Sequence, residues 1–355
     1  MISVLTDRPD PRTAARDAFA AALATFDPAS TLIVGHFDAD GLSAAAILAR
    51  AFAGAGRAHE VRILGRGENP WDSAFADEVA ARAPGCLIVT DLGSRPEPIA
   101  PGVPLILIDH HVPTGVPAGA MLIGGNDLTP EPTSALLAWW SAAALGDVDD
   151  LQWLAALGLV GDMADDAGFP ELAQAQARWG KTAIKNAVSL VNAPRRTSAA
   201  DPSPALALLL KADGPKAILS GEHAETAQLI AAKEEVKLAL DKAKRVAPKV
   251  AGDVALIRFH SPCQIHPLIA QQWRGRLRDK VVLAANTGYR EGWIHFAARS
   301  ASGADLIDFL RRHRPEGAGP EYGNGHKQAT GGALRPADWN AFVADLGLPD
   351  QQVPA

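Results

Sequence analysis

Thr31 to Phe52 reads TLIVGHFDADGLSAAAILARAF, an apolar run, a polar turn and an alanine-rich segment in direct succession. Thr31–Val34 reads as a strand buried on both faces, and Leu42–Phe52 as the helix that follows it. Between them lies GHFDADGLS, Gly35 to Ser43. If the chain stays extended for a few residues past the strand, period-2 alternation aims His36, Asp38 and Asp40 at the same side. Gly41 lets the chain turn, and the helix starting near Leu42 offers free N–H groups that favour an anion. Acids that only cap a helix would need no histidine in the same register.

The same alternation of strand and helix extends outward. Val61–Leu64, Cys86–Thr90 and Leu105–Ile108 are further apolar runs expected as strands buried on both faces, and Asp72–Arg82 has helical composition. Strands of this kind separated by helices mean βαβ crossovers and a parallel sheet. Thr133–Leu145, Asp149–Val160 and Leu172–Lys185 are expected as helices, with Pro132 and Pro170 at plausible starts. Asn192–Pro204 reads as a linker before a helix at Pro204–Lys211, and Ala224–Val246, free of Gly and Pro, as a long connecting helix. Val254–Phe259, Val281–Ala285 and Trp293–Ala297 are expected strands of a second unit, with helices at Leu306–Arg312 and near Asp338–Leu346.

Each early strand delivers acids or histidines at its C-terminal end, where open α/β sheets bind their ligands. Asp91 ends CLIVTD, and LILIDHHVP presents Asp109, His110 and His111. Adjacent histidines after a hydrophobic strand gain little from packing and must be hydrogen-bonded when buried. Asp162 ends the helical run LAALGLVGD, where a carboxylate opposes the macrodipole unless a cation is near. Asp38, Asp40, Asp91 and Asp162 crowded into one crevice would repel and raise their pKa values. Two divalent cations would cancel that charge; with imidazoles among the ligands Mn²⁺ fits better than Ca²⁺, with Mg²⁺ as the alternative. A two-metal site clamps an in-line displacement at phosphorus, so phosphoester or phosphoanhydride hydrolysis is the expected reaction class.

HFDADG, VTD, IDHH and GD resemble the four ordered motifs of the DHH phosphoesterase family. The resemblance implies that Asp91 bridges two metals, that His36 and Asp38 complete one site, and that Asp40, His110 and Asp162 complete the other. It further implies that His111 touches the scissile phosphate and that Asp109 orients a histidine. Gly323–Gly332, GNGHKQATGG, resembles the glycine-rich loop of the DHHA1 domain that accompanies DHH catalytic domains, with Asn324 in place of its usual middle glycine. Gly323, Gly325, His326 and Lys327 would grip the substrate there, and Arg299 and Ser300 resemble the family's substrate-binding arginine and its neighbour. The expected fold class is α/β: a parallel-sheet DHH catalytic domain over 1–200, a helical linker over 201–249, and a smaller α+β DHHA1 domain over 250–355.

The function this implies is two-metal hydrolysis of short single-stranded oligonucleotides from an end, 5′ to 3′, to nucleoside monophosphates. The HFDADG spacing resembles the RecJ-like form of the motif, which keeps a single-strand DNA exonuclease as a second reading. Dinucleotide or cyclic-dinucleotide hydrolysis, polyphosphatase action and an inactive nucleic-acid-binding scaffold are the others. A chain of 355 residues has little room for an added OB-type domain, which favours short strands over long DNA.

Composition agrees with this reading. Hydrophobic residues make up 48% and charged residues 21%, as in folded globular domains, and the net charge is −6. No surface-wide electrostatic grip on duplex phosphate is expected, so any nucleic-acid contact is local. Val250–Asn340 alone carries 12 basic and 8 acidic side chains, a net +4 that suits a polyanion. Two cysteines, Cys86 and Cys263, without CxxC spacing, indicate neither a disulfide framework nor a cysteine zinc site, and a reducing cytoplasm is the simplest home. The opening MISVLTDRPDPRT has no signal-peptide pattern, and no membrane span is expected. Arg274, Arg276 and Arg278 read as a solvated face, and Trp139 and Trp140 as core. The oligomeric state is left open, a homodimer included.

Overall fold

β1 (Thr31–His36), β2 (His59–Leu64), β3 (Cys86–Thr90), β4 (Leu105–Asp109) and β5 (Met121–Gly124) hydrogen-bond in the order β2-β1-β3-β4-β5, every pair parallel. The structure is a computed structural model describing residues 10–25, 30–319 and 321–354, with the side chains of Asn324 and His326 outside the described set. Alternate residues of the central strands feed two cores. Ile33, Ile88, Ile106 and Ile108 pack into one, while Leu32, Val34, Leu87, Val89 and Leu107 pack into the other. That two-sided burial is why these strands read as unbroken apolar runs rather than as alternating ones.

The first core is roofed by α1 (Pro11–Thr25), α2 (Ala39–Gly54), α4 (Ser134–Ala142) and α5 (Gln152–Gly161), and the second is closed by Phe75 and Val79 of α3 (Ser73–Arg82). Trp139 of α4 and Trp153 of α5 are fully enclosed, and truncating either to alanine would cost about 3–5 kcal/mol. The sequence reading passes over α1 and β5, although Ala15, Phe19, Ala22 and Leu23 of α1 are buried at helical spacing. Two expectations are corrected. β2 lies at the sheet edge, so only Ile63 and Leu64 are buried there. The single helix expected over Leu172–Lys185 is two, α6 (Pro170–Trp179) and α7 (Lys181–Val191), because Gly180 between them takes φ +92°.

After α8 (Ser203–Lys211) and α9 (Pro215–Ser220), α10 (Ala224–Ala243) carries the chain across a unit boundary. One compact unit holds the chain up to Arg195 together with Ala200–Ala231; the other holds Arg196–Ala199 and the chain from Ala232 onward. The second unit has its own sheet. β6 (Lys249–Ala251), β7 (Val254–Phe259), β8 (Val281–Arg290), β9 (Trp293–Ser300), β10 (Asn324–His326) and β11 (Ala329–Leu334) take the order β10-β11-β9-β8-β7-β6. Only β7 and β8 pair in parallel, as their connection through α11 (His266–Arg274) requires. α12 (Leu306–Arg312) and α13 (Pro336–Asp345) bury Leu310, Trp339 and Phe342 with Phe296 of β9 in a core on one face of this sheet. Ile269 and Ala270 of α11 join Val282 and Ala284 in a core on the other. Among the described residues no helix is long and apolar enough to cross a membrane, and both cysteines are buried and unpaired.

The glycine-rich stretch 323–332 is a β-hairpin, and its glycines serve strand pairing. Gly325 takes φ +131°, and a Cβ there would meet the Ala329 carbonyl oxygen at 2.5 Å. A Cβ on Gly331 would meet the Phe296 carbonyl oxygen of β9 at 2.3 Å, and one on Gly332 the Glu321 carbonyl oxygen at 2.9 Å. Backbone cannot yield as a flexible side chain does, so Gly331→Ala is expected to destabilise the second unit by about 2 kcal/mol. Gly319→Ala, where a Cβ meets nothing within 4 Å, should stay within about 0.5 kcal/mol. Urea unfolding of both variants checks the contrast.

Candidate metal centre

The C-terminal edge of the parallel sheet and three helix ends bring the acids and histidines together. β1 ends on His36, and Asp38 caps α2, its Oδ1 accepting from the Gly41 amide at 3.1 Å. Gly41 is required at this junction: a Cβ would lie 2.6 Å from both the Cβ and the carbonyl oxygen of His36. Asp40, in the first turn of α2, is buried, and it caps a different helix. Its Oδ2 accepts from the Ser134 amide at 2.8 Å and its Oδ1 from the Ala135 amide at 3.0 Å, so it sits on the positive end of α4. Gly158 of α5 makes room for it, since a Cβ there would come within 2.2 Å of Asp40 Oδ1.

Asp91 follows β3 with φ +61°, a left-handed backbone for a non-glycine residue that costs roughly 1–2 kcal/mol. Its side chain is buried, and Oδ1 accepts from the Ser134 hydroxyl at 3.0 Å. Around it stand His36 Nδ1 at 3.5 Å, His110 Nε2 at 3.6 Å and His111 Nδ1 at 4.0 Å. Asp162 caps the C-terminus of α5 and lies 3.3 Å from His110 Nε2. Three groups result whose ligand atoms lie within 4.8 Å of one another: His36, Asp38 and Asp91; Asp40, His110 and Asp162; and Asp91 with His110 and His111. Every metal-ligand candidate read from the sequence therefore belongs to one constellation, with Asp91 in two of its groups.

Asp109 is buried and accepts from the Gly93 amide at 2.7 Å and from both the amide and Nδ1 of His111, at 2.7 and 2.9 Å. Four partners were not legible as site residues. Glu131 faces His110 Nδ1 at 3.2 Å, Ser134 holds Asp91, Arg195 Nη1 donates to Asp38 Oδ2 at 3.2 Å, and Asn192 Oδ1 accepts from the Ala39 amide at 3.0 Å. Arg195 and Asn192 lie more than 150 positions beyond the acid-rich turn they support, in a stretch whose composition reads as linker; only the NAPRR run hints at them.

Electrostatics show the strain of four carboxyls in one place. Burial, then the charges of Asp162 and Asp38, push Asp40 up to about 7. Burial and the charges of Asp40 and Asp38 hold Asp91 well above the usual carboxylate range, and burial with Asp38 raises Asp162. Burial works against a proton on His36, yet Asp38 and Asp91 lift it to about 10. Burial also works to raise Asp38, but His36 and Arg195 hold it well below the usual range. Carboxylates and imidazoles whose ligand atoms gather within 4.8 Å of one another form a donor set that fits divalent cations.

On the second unit, a trough of about 360 Å³ runs along β9 and β11 beside α11. Its floor is three cross-strand pairs, His295–Ala333, Ala297–Gly331 and Arg299–Ala329. Arg299 lies in it, donating through Nη1 to the carbonyls of Ala298 and Thr330 at 2.8 and 3.2 Å. Ser300 alternates to the opposite face of β9 and hydrogen-bonds Ser302. Lys327 is exposed, 3.5 Å from Asp305; Gly323, at φ +81°, pairs its amide with the Gly331 carbonyl; Gly325 lies in β10; and the side chain of His326 is outside the described residues.

No family model matches the chain, and no curated protein matches it. Solved structures do. Exonuclease RecJ bound to manganese is 20% identical, with a TM-score of 0.65 over 96% of this chain and 95% of that one. RecJ of Thermus thermophilus with Mn²⁺ is 21% identical, with a TM-score of 0.68 over 97% of this chain; this chain spans 55% of its length, and the Mg²⁺ complex aligns with a TM-score of 0.62. An exopolyphosphatase-related protein of Bacteroides fragilis is 13% identical, with a TM-score of 0.50 over 94% and 96% of the chains. The chain has the RecJ-like DHH fold, as its motifs led us to expect.

Without a cation, the raised Asp40, His36 and His111 all favour their protonated forms in the folded state, and all three lose that contribution as pH rises. For Asp40 the loss runs from about 4 to about 7, and for the histidines from about 6.5 to about 10 and 9. In EDTA the unfolding midpoint should therefore fall between about pH 6 and 9, and excess Mn²⁺ should raise it most at the alkaline end, where fewer protons compete. Thermal melts in matched buffers read this out; a chelated protein equally stable across that range would contradict it.

Proposed function

We propose that the protein is a divalent-metal-dependent phosphodiesterase that releases nucleoside monophosphates from short single-stranded oligonucleotides, acting from the 5′ end. The observation that carries this reading is the pairing of two ligand groups, His36–Asp38–Asp91 and Asp40–His110–Asp162, with His111 beside Asp91. His36, Asp38 and Asp91 would hold one Mn²⁺, and Asp40, His110 and Asp162 the other, with Asp91 shared. Bound there, divalent cations supply charge stabilisation at phosphorus and a nucleophile from water at neutral pH.

The chain's own residues prepare the site. Glu131 lies 3.2 Å from His110 Nδ1, so with a cation bound a hydrogen bond from Nδ1–H to Glu131 would leave Nε2, on the side of Asp91 and Asp162, for the metal. The Ser134 hydroxyl fixes the rotamer of Asp91. His111 is half exposed, and its hydrogen bond to Asp109, acting against partial burial, lifts its pKa to about 9. It is thus cationic at neutral pH, with Nδ1–H anchored and Nε2–H free to reach a phosphoryl oxygen as negative charge develops. Asp109 in turn is held low by His111 and the Gly93 amide in spite of burial, so it stays an acceptor. Arg195 neutralises Asp38 and keeps a guanidinium beside the ligand groups.

A phosphate-bearing substrate is supported by the trough of the second unit, where Arg299 is available to a phosphate. The likeness to exonuclease RecJ favours a second reading, a single-strand DNA exonuclease. A ladder of 5′-labelled DNA and RNA, from dinucleotides to about forty nucleotides, separates the two. With Mn²⁺, short strands should yield mononucleotides fastest, and a preference for long DNA would select the second reading. Asp91→Asn should lower release roughly 10³-fold by loosening both groups at once. Unchanged turnover in that variant, or binding without turnover in the unaltered protein, would overturn the hydrolase reading.

A further inference from the structure

In the first unit, two loops that carry no metal-ligand candidate in common touch across the end of a third strand. β1 lies between β2 and β3, so contacts between the loops leaving β2 and β3 close over the end of β1, where His36 stands. The Arg95 guanidinium stacks on the Trp71 ring, 4.9 Å from its centroid, and Trp71 Nε1 donates to the Glu97 carbonyl at 3.1 Å. Trp71 and Leu92 pack against the core that holds Phe75 and Val79 of α3. This strap therefore lies on the α3 face of the sheet, while α2 leaves β1 on the other.

An exposed arginine without an acid partner is ordinarily loose, because holding its long side chain in one geometry costs rotamer entropy. Arg95 is exposed, and among the described residues no carboxylate lies within ion-pair distance of it. Yet the chain on both sides of it is clamped. The Ser94 hydroxyl donates to the Gly115 carbonyl at 2.6 Å, and the Thr114 amide donates to the Ser94 carbonyl at 3.0 Å. Pro96 sits so near Gly115 that a Cβ there would meet its Cδ at 2.7 Å, and the Glu97 carbonyl is taken by Trp71. Thr114 and Gly115 belong to the loop that follows Asp109, His110 and His111, so Arg95 is fixed to the framework that carries the ligands. Asp91 is four residues before it, which bounds their Cα separation at about 14 Å. A pre-set guanidinium without a counter-anion, beside a centre suited to phosphorus chemistry, fits a further phosphate at little ordering cost.

We propose that Arg95, held on Trp71, binds the phosphodiester next to the scissile one, and so sets a preference for strands over single diesters. The ligand class rests on the oligonucleotide reading above. A substrate with two phosphodiesters meets two fixed points, the metal centre and Arg95; a substrate with one meets the metal centre alone.

The test compares a dinucleoside monophosphate, which has one phosphodiester, with a trinucleoside diphosphate, which has two, both without terminal phosphates. Arg95→Met keeps the length of the side chain and its contact with Trp71 but removes the charge. With Mn²⁺ present, it should lower kcat/KM on the longer probe about tenfold and change the shorter by less than about twofold. An equal fall on both probes, the sign of a disturbed site, or no fall on either overturns the proposal. The same dinucleotide bearing a 5′-phosphate separates the two sources of a further phosphate. If Arg95→Met penalises that probe and spares the longer one, Arg95 holds a terminal phosphate and the assignment is overturned. Binding supplies a readout apart from turnover. In EDTA, anisotropy of a labelled hexanucleotide should show a slope of log affinity against log salt shallower by about 0.7 in Arg95→Met, one phosphate contact fewer on a single strand. Arg95→Lys should keep the slope and lose part of the affinity. A slope unchanged in Arg95→Met overturns the proposal whether or not the protein turns strands over. Turnover with an unchanged slope removes the Arg95 assignment alone, and a changed slope without turnover removes the hydrolase reading alone.

Discussion

Four carboxyls, those of Asp38, Asp40, Asp91 and Asp162, meet at the edge of one sheet, and much of the first unit is arranged around the repulsion among them. Each is offset differently. Asp38 has Arg195 and His36; Asp40 has two amides at the positive end of α4; Asp91 has a hydroxyl and the nearby imidazoles; Asp162 has His110. These arrangements lessen the repulsion without removing it. Burial first, and the repulsion that is left, raise three of the carboxyls, and a divalent cation is the simplest species to offset both.

Bringing the acids this close constrains the backbone as firmly as the charge. α2 can begin so near the end of β1 only because residue 41 has no Cβ, and α5 can pass Asp40 only because residue 158 has none. Asp91 adopts a left-handed backbone that only a tightly determined surrounding would hold. Glycines in this protein therefore mark places where backbone approaches something. In 323–332 the thing approached is another strand, which gives a phosphate-loop signature a purely architectural reason for much of its composition.

The two units divide the chemistry. The first gathers negative charge and imidazoles; the second carries a positive balance and a trough with one uncompensated arginine and one unsatisfied imidazole. The arginine is held by the backbone carbonyls of Ala298 and Thr330, which fix it on the face of β9 that lines the trough.

Strands with both faces buried must be apolar at every position, so β1, β3 and β4 were legible, and His36, Asp38, Asp40, Asp91, His110 and Asp162 were legible as residue types in order along the chain. The extended register expected for His36, Asp38 and Asp40 is not what gathers them, since α2 begins at Ala39 and holds Asp40 in its first turn. Edge strand β2, the helix break at Gly180 and the hairpin at 323–332 were less so, because a strand's place in its sheet, or a backbone clash, leaves only a weak local pattern. Glu131, Ser134, Asn192 and Arg195 could not be assigned at all. They act on residues from 21 to more than 150 positions away, and a supporting hydrogen bond across that separation has no period or spacing to betray it. The sequence by itself determined which residues have metal-binding chemistry and which strands carry them; only the tertiary structure decided their partners and protonation, since both depend on distances that chain order does not encode.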